Sequence, residues 1–364
     1  MRLSTYSAVL AFVAAGAITG CSTSEPVTTP KSVSSDTELG GFTVALQGFR
    51  DAKGSDIEDP TGADPAYTNV VGQVYDGSYP ELFVETELAN PPDATEGCAV
   101  YAVVPPDCTS IGGCGAASSD KSCADAAANG TMTCVCVAED LCEAYPVKKN
   151  LGKVTVRGIA DTSGVTAFEL KNLSNSYQIP PTTKLAYPGF AEGGEIEFAA
   201  SGGDYEAFEV SAPGIAPLKL TNKPFNLAKD VSNPEPTAYQ ALTVTWTPPA
   251  PGSTSSILLE IDISRHTGTV GVLACDLDDD GEVTLSGSLI SQLVGLGNVG
   301  GYPELTMSRW TTGATSIAEG VVRVQVESNV EPGLTMDGYT SCLSDADCPV
   351  IQVCNRDNKL CLAR

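Results

Sequence analysis

The chain has 364 residues, with 45 acidic against 20 basic side chains and a formal net charge of −25. That balance excludes a nucleic-acid-binding body, because phosphate binding needs clustered Lys and Arg and the sequence has no such cluster. Hydrophobic residues make up 42%, enough for a packed core, which excludes wholesale disorder; the 36 Gly and 24 Pro stay below the low-complexity range.

Residues 1–20 have the pattern of an export signal. Arg2 supplies the positive start, and Ala8–Ile18 is an apolar run of 11 residues, short of the roughly 20 needed to span a bilayer as a helix. The segment Ile18-Thr19-Gly20-Cys21 resembles the lipobox of bacterial lipoproteins. The resemblance implies cleavage before Cys21 and lipidation of its thiol. Ser22, rather than Asp, implies sorting to the outer membrane by the rules of Gram-negative lipoproteins. Several acyl chains on one Cys anchor stably where a single chain is marginal. Losing residues 1–20 removes only the charge of Arg2, so −25 becomes −26, and so acidic a body should not lie flat on anionic lipid. Residues 21–40 are expected to form the lipidated Cys and a flexible tether rich in Ser, Thr and Pro. The chain has no second apolar stretch of 18 residues, so no transmembrane span is expected.

From residue 41 the apolar pattern repeats every two residues, the signature of strands. Phe42, Val44 and Leu46 alternate with small or polar residues, as do Val154 and Val156, Leu242, Val244 and Trp246, Ile257 to Ile263, and Val322 to Val326. Only residues 286–296 read as helix, with Ser286 as a cap before Leu289, Ile290 and Leu293. The expected fold is mostly β, built of tandem immunoglobulin-like β-sandwich domains with disulfide-rich segments. Its divisions are a β domain over 41–146 with a Cys-rich insertion near 105–135, a second over 147–232, a sandwich over 233–332 and a Cys-rich module over 333–364.

With Cys21 assigned to lipid, 12 of the 13 Cys remain. An export signal places them in an oxidising compartment, where disulfides persist. Seven cluster at Cys98, Cys108, Cys114, Cys123, Cys134, Cys136 and Cys142, four close the chain at Cys342, Cys348, Cys354 and Cys361, and Cys275 stands between. Seven is odd, so either Cys275 bridges to the cluster or it and one cluster thiol stay free. The long bridge is the favoured reading, and it would contribute about 4 kcal/mol in the chain-entropy model. Structural zinc is the competing use of these thiols, disfavoured by a single His and by the lack of C-x-x-C spacing.

The stretch LTVTWTPP, residues 242–249, resembles the second strand of fibronectin type III and related immunoglobulin-like sandwiches. The resemblance implies that Trp246 is buried between sheets; no tyrosine corner accompanies it. The tail CLSDADCPVIQVCNRDNKLC, residues 342–361, resembles short modules at the ends of bacterial envelope lipoproteins and, more weakly, the N-terminal Cys-rich region of Dickkopf proteins. Four Cys in this short span imply a two-disulfide knot and carry no signal for an activity.

Asp276-Leu277-Asp278-Asp279-Asp280-Gly281 matches the first half of a calcium loop, with Asp276, Asp278 and Asp280 as the carboxylates. Its twelfth position is Gly287, where the bidentate Glu belongs. The alternatives are a weak calcium site, the only cofactor the sequence suggests, or a polar hairpin turn. The sole His, His266, falls between two expected strands, and nucleophile, metalloprotease and phosphate-loop motifs do not occur. The functional expectation is therefore a non-enzymatic lipoprotein of the outer membrane, surface-exposed or periplasm-facing. It would serve surface binding, adhesion or envelope structure toward a protein or glycan ligand, and acidity favours a monomer. The alternatives are a calcium-dependent carbohydrate-binding module, with Tyr187, Tyr205 and Trp310 as candidate platform residues, and a hydrolase with an unrecognised acid pair.

Overall fold

Period-two alternation becomes strand along most of the chain. The computed structural model describes residues 37–48, 66–79, 84–104, 134–138, 141–233, 235 and 238–363. The export signal, Cys21, the tether, Cys108, Cys114 and Cys123 lie outside them. In chain order the strands begin with β1 (Glu38–Gln47), β2 (Tyr67–Val74), β3 (Val84–Glu87), β4 (Cys98–Val104), β5 (Cys134–Ala138), β6 (Leu141–Ala144) and β7 (Val154–Arg157). They continue with β8 (Ala167–Glu169), β9 (Lys171–Leu173), β10 (Ser176–Gln178), β11 (Glu195–Ala200), β12 (Phe208–Pro213), β13 (Phe225–Leu227) and β14 (Leu242–Thr245). The last are β15 (Ser256–Asp262), β16 (Gly271–Asp278), β17 (Glu282–Leu285), β18 (Glu304–Ile317), β19 (Gly320–Val330), β20 (Leu334–Met336), β21 (Gln352–Asn355) and β22 (Leu360–Ala363). Helix α1 covers Gly287–Gly295, and its first turn is capped by Ser286, whose Oγ accepts from the Leu289 N–H at 3.3 Å.

The fold is mostly β. One ten-stranded sheet runs in the order β3-β4-β16-β15-β18-β19-β1-β2-β10-β9. Strands from all three β segments delineated by the sequence hydrogen-bond within it, so those segments interleave in space. β1 enters parallel to β19, with Phe42 opposite Val324 and Val44 opposite Val326, and antiparallel to β2. A four-stranded sheet, β12-β11-β7-β8, packs on the half of the large sheet around β1 and β19. The pairs β14–β17 and β13–β20, with α1, cover the half around β15 and β16.

Two hydrophobic cores result, both on the same side of the large sheet. One gathers Phe42, Val44, Leu46, Val156, Phe198 and Val324, with the rings of Phe42 and Phe198 stacked at 4.5 Å. The other gathers Trp246, Ile257, Leu259, Leu285, Leu293 and Met307. β18 and β19 are long enough to serve both. Leu305, Met307 and Val330 belong to one core, and Val322, Val324 and Val326 to the other. Between them lies a buried polar belt of Arg309, Thr311 and Ser328. At Gly313 the backbone of β12 comes so close that a Cβ would sit 1.6 Å from the Ser211 carbonyl oxygen, so only glycine fits there.

The belt centres on an ion pair whose side chains are 1% and 2% exposed, Arg309 and Asp279. Arg309 Nε donates to Asp279 Oδ2 at 2.6 Å and Nη2 donates to Oδ1 at 2.9 Å. Nη2 also donates to the Thr247 carbonyl at 2.7 Å, and Nη1 points to the carbonyls of Ala216 and Pro217 at 3.3 and 3.5 Å. Asp279 accepts further bonds from Trp246 Nε1 and Ser255 Oγ, both at 2.7 Å. The guanidinium fork and both carboxylate oxygens are thus satisfied without water.

Disulfides fasten the frame. Cys98 on β4 bonds Cys275 on the adjacent β16, 177 residues later, which joins the Cys cluster to the long-separated single Cys. Cys134, Cys136 and Cys142 are also disulfide-bonded. The tail is a two-disulfide knot, Cys342–Cys354 and Cys348–Cys361, around the β21–β22 hairpin. It docks where Gly301 N–H donates to the Asn358 carbonyl at 2.6 Å.

Arg309→Met leaves Asp279 charged and buried without its partner. Urea unfolding of this variant is expected to show a loss of about 3–5 kcal/mol. Adding Asp279→Asn removes the stranded charge, keeps an acceptor for Trp246 and turns the other position into a donor that the Ser255 hydroxyl can accept from, so the double variant should regain part of it. A single-variant loss below about 1 kcal/mol, the scale of a surface pair, would show that the belt does not hold the lobes.

Candidate binding surface

Among the described residues, three aromatic side chains with polar neighbours meet where β2 leaves the large sheet. β2 ends at Val74, but the chain keeps its company: Tyr75 bridges to Lys148, Lys149 N–H donates to the Val74 carbonyl at 2.8 Å, and Asp76 N–H donates to the Val147 carbonyl at 3.1 Å. The segment after β6 is thereby held against the exit of β2. Tyr75 and Tyr79 meet edge to face at 5.6 Å between ring centroids, and Tyr79 and Tyr145 meet at 5.5 Å. Tyr75 is the buried foundation, Tyr145 is half-buried and Tyr79 is 37% exposed.

The foundation is anchored at both ends. Tyr205 Oη donates to the Tyr75 carbonyl at 2.7 Å, and the Tyr75 hydroxyl donates to Gln73 Oε1. Beside the rings Asp76 accepts from the Val147 N–H at 2.7 Å and pairs with Lys149 Nζ at 3.1 Å. Burial alone would raise the Asp76 carboxyl, but the Val147 N–H and the Lys149 ammonium outweigh it and hold it below the usual carboxylate range. The bond to Asp76 in turn raises Lys149. Val147, whose main chain bonds Asp76, is 61% exposed.

The residues singled out in the sequence fall elsewhere. Trp246 is core, with its indole N–H spent on Asp279. Tyr205 and Trp310 are each 8% exposed, and Tyr187 packs against the core around β1, so these three form no platform. Tyr205 contributes differently, by fixing Tyr75 from below. Asp276, Asp278 and Asp280 are exposed along β16 and the following turn, and among the described residues no three carboxylates come within 4.8 Å of one another. That turn is also no hairpin: β16 lies in the ten-stranded sheet and β17 pairs with β14. The run crosses from sheet to sheet and turns Asp279 inward to Arg309. The sulfurs of Cys342, Cys348 and Cys361 do lie within 4.8 Å of one another, but all three are in disulfides and offer no thiolate. His266 falls in the 3-10 turn Arg265–Thr267 between β15 and β16. No family model matches the chain, and no curated protein matches it significantly.

Two half-buried carboxyls that the alternation did not single out lie on the opposite side of the large sheet from the cores. Burial, reinforced by the charges of Glu85 and Asp262, pushes Glu260 up to about 8 against the pull of Thr306 and Arg265. Burial also raises Glu327, although Gln325 Nε2 and Asn329 Nδ2 donate to it at 2.6 and 2.9 Å. The two are not an acid pair. Glu260 faces Thr306 and Glu327 faces Trp310, four positions further along β18. That is about 13 Å along the strand, beyond the roughly 5–10 Å of a glycosidase pair.

Two outcomes follow from these placements. Millimolar calcium is expected to leave the melting temperature of the full chain unchanged, because the three carboxylates do not converge; a rise would show that they close on the ion. A carboxyl raised in the folded state binds a proton that the unfolded chain has already lost, so folding stability is full below about 4.5 and falls as pH rises toward about 8. In urea titrations Glu260→Gln should flatten that decline, while the parent retains it.

Proposed function

We propose that this chain is a non-enzymatic lipoprotein held on the outer membrane through Cys21. In this reading a tether over residues 21–40 holds a disulfide-stapled β body whose work is to bind or adhere to a surface ligand. The observation that carries the reading is the Tyr75–Tyr79–Tyr145 cluster with its Asp76–Lys149 rim. Rings that present both an apolar face and a hydroxyl, fixed from below and bordered by charge, are the composition of recognition surfaces. The stapled frame supports the same reading, since a β body outside the cell has no reducing system to remake lost disulfides and gains from covalent ties. The lipobox-like segment and the net charge of −25 support display away from the bilayer.

The test has two parts. Cys21→Ser should abolish labelling by a radioactive fatty acid and release the protein from membranes. Protease shaving of intact cells, with a periplasmic protein as control, should degrade the parent body and spare the control. Full protection of the body would overturn surface display and turn attention to partners within the envelope.

A further inference from the structure

We propose that the Tyr75–Tyr79–Tyr145 surface is a calcium-independent binding site for a neutral, hydroxyl-rich glycan chain. The inference rests on the binding role argued above and names the ligand class of the same surface.

Four observations select this ligand. The first is the ring arrangement. Three tyrosines meet in series, with centroid separations of 5.6 Å from Tyr75 to Tyr79 and 5.5 Å from Tyr79 to Tyr145. The exposed Tyr79 and half-buried Tyr145 offer apolar ring surface to the C–H face of a pyranose, and the buried Tyr75 backs Tyr79. The second is the state of the main chain. The N–H groups of Tyr75, Asp76 and Lys149 donate to Leu39, Val147 and Val74, at 2.7, 3.1 and 2.8 Å. An added peptide strand would find these groups already paired, so the surface recognises through side chains rather than by extending a sheet.

The third is the polar rim. Asp76 and Lys149 neutralise each other at 3.1 Å, yet an ionised carboxylate accepts about four hydrogen bonds and an ammonium donates three. Both can therefore serve a sugar hydroxyl without breaking their own contact. Gly77, the next residue, leaves room: a Cβ there would meet nothing within 4 Å. The fourth is the charge of the whole chain. At −25 it repels polyanions such as acidic polysaccharides and nucleic acids, and the rim adds no net positive charge to overcome that field. A neutral glycan meets no such barrier.

The anchoring of Tyr75 makes the site ready in advance. Its carbonyl is held by Tyr205 and its hydroxyl by Gln73, so little ordering remains when ligand arrives. The carboxylates of the Asp276–Asp280 run are not needed, because none of them belongs to this cluster.

The full-length protein, purified in detergent, is mixed with insoluble chitin, cellulose and curdlan in the presence of EDTA. Retention on at least one of the three is expected. Tyr79→Ala and Tyr145→Ala should each weaken it about tenfold, the loss of a contact worth about 1.4 kcal/mol, with unchanged circular dichroism. Tyr79 is exposed enough that its truncation should not unfold the chain, and Tyr145→Ala gives a second reading of the same site. Retention by none of the three, retention unchanged by both variants, or retention abolished by EDTA would each overturn the proposal. A parallel assay uses washed cell envelopes. Binding lost after periodate oxidation of their glycans supports the site. Binding that survives periodate but is lost after protease treatment assigns the surface to a protein ligand; that overturns the glycan and leaves the adhesive role standing. Protection from shaving in intact cells would instead overturn surface display while leaving the ligand class intact.

Discussion

Arg309 and Asp279 decide how two hydrophobic cores share one sheet. A guanidinium in a dry interior is tolerable only when every donor is engaged, and its partners come from three separate stretches of chain. They are the turn after β16, the loop after β14 and the crossing at Ala216–Pro217, while Ser255, the residue before β15, completes the set through Asp279. The crossing matters most. Ala212 and Ile215 belong to one core and Leu218 and Leu220 to the other, so the two carbonyls that face Arg309 are those of the residues passing between. Ser328, directly opposite Arg309 on β19, takes the Leu218 N–H at 2.9 Å, and Thr311 donates to the Pro213 carbonyl at 2.6 Å. The belt thus ties the connecting segment to the long strands at the place where hydrophobic packing is interrupted. A charge network is weak as a source of net stability, but it is strict about geometry, and here it fixes the register of the crossing.

The disulfide between Cys98 and Cys275 acts at a different place. β4 and β16 are neighbours, yet they come from regions 177 residues apart. Closing so long a loop removes much freedom from the unfolded chain. Together with the parallel pairing of β1 and β19, it draws the first and last thirds of the chain into one sheet. Such non-local pairing is costly to form and, once made, hard to undo piecemeal.

Much of this was legible in the sequence, and the limit has a physical form. Strand positions follow from alternation because one face of each strand is buried: Phe42, Val44 and Leu46, or Val322, Val324 and Val326, are fully buried in the structure. The helix followed from Ser286 and the spacing of Leu289, Ile290 and Leu293. Pairing order is another matter. The alternation in β1 says that it has a core face and says nothing about β19 as its partner. The Asp run shows the same limit at one residue. Its spacing suggests a cation loop, but Asp279, the carboxylate outside that pattern, has the structural role, because Arg309 lies opposite. Nothing local marks Arg309, which sits in a strand otherwise rich in Thr and Ser.

The tyrosine surface was illegible for the same reason, and its placement explains its character. Tyr145 lies 66 residues beyond Tyr79, and the two meet because the segment after β6 returns to pair beyond the end of β2. The ordinary expectation for aromatics in a β protein is burial, which Tyr205 and Trp310 obey. Tyr79 departs from it because it lies beyond the end of β2, where the main chain takes its hydrogen bonds from the 147–149 segment and the Tyr79 ring meets the buried Tyr75 edge to face. An exposed ring on a mobile loop would lose much of its contact energy to ordering. Here the Tyr205 hydroxyl, the Gln73 side chain and the Asp76–Lys149 pair hold the foundation. The tyrosine cluster therefore takes its rigidity from the end of β2, a strand of the same sheet that carries Arg309.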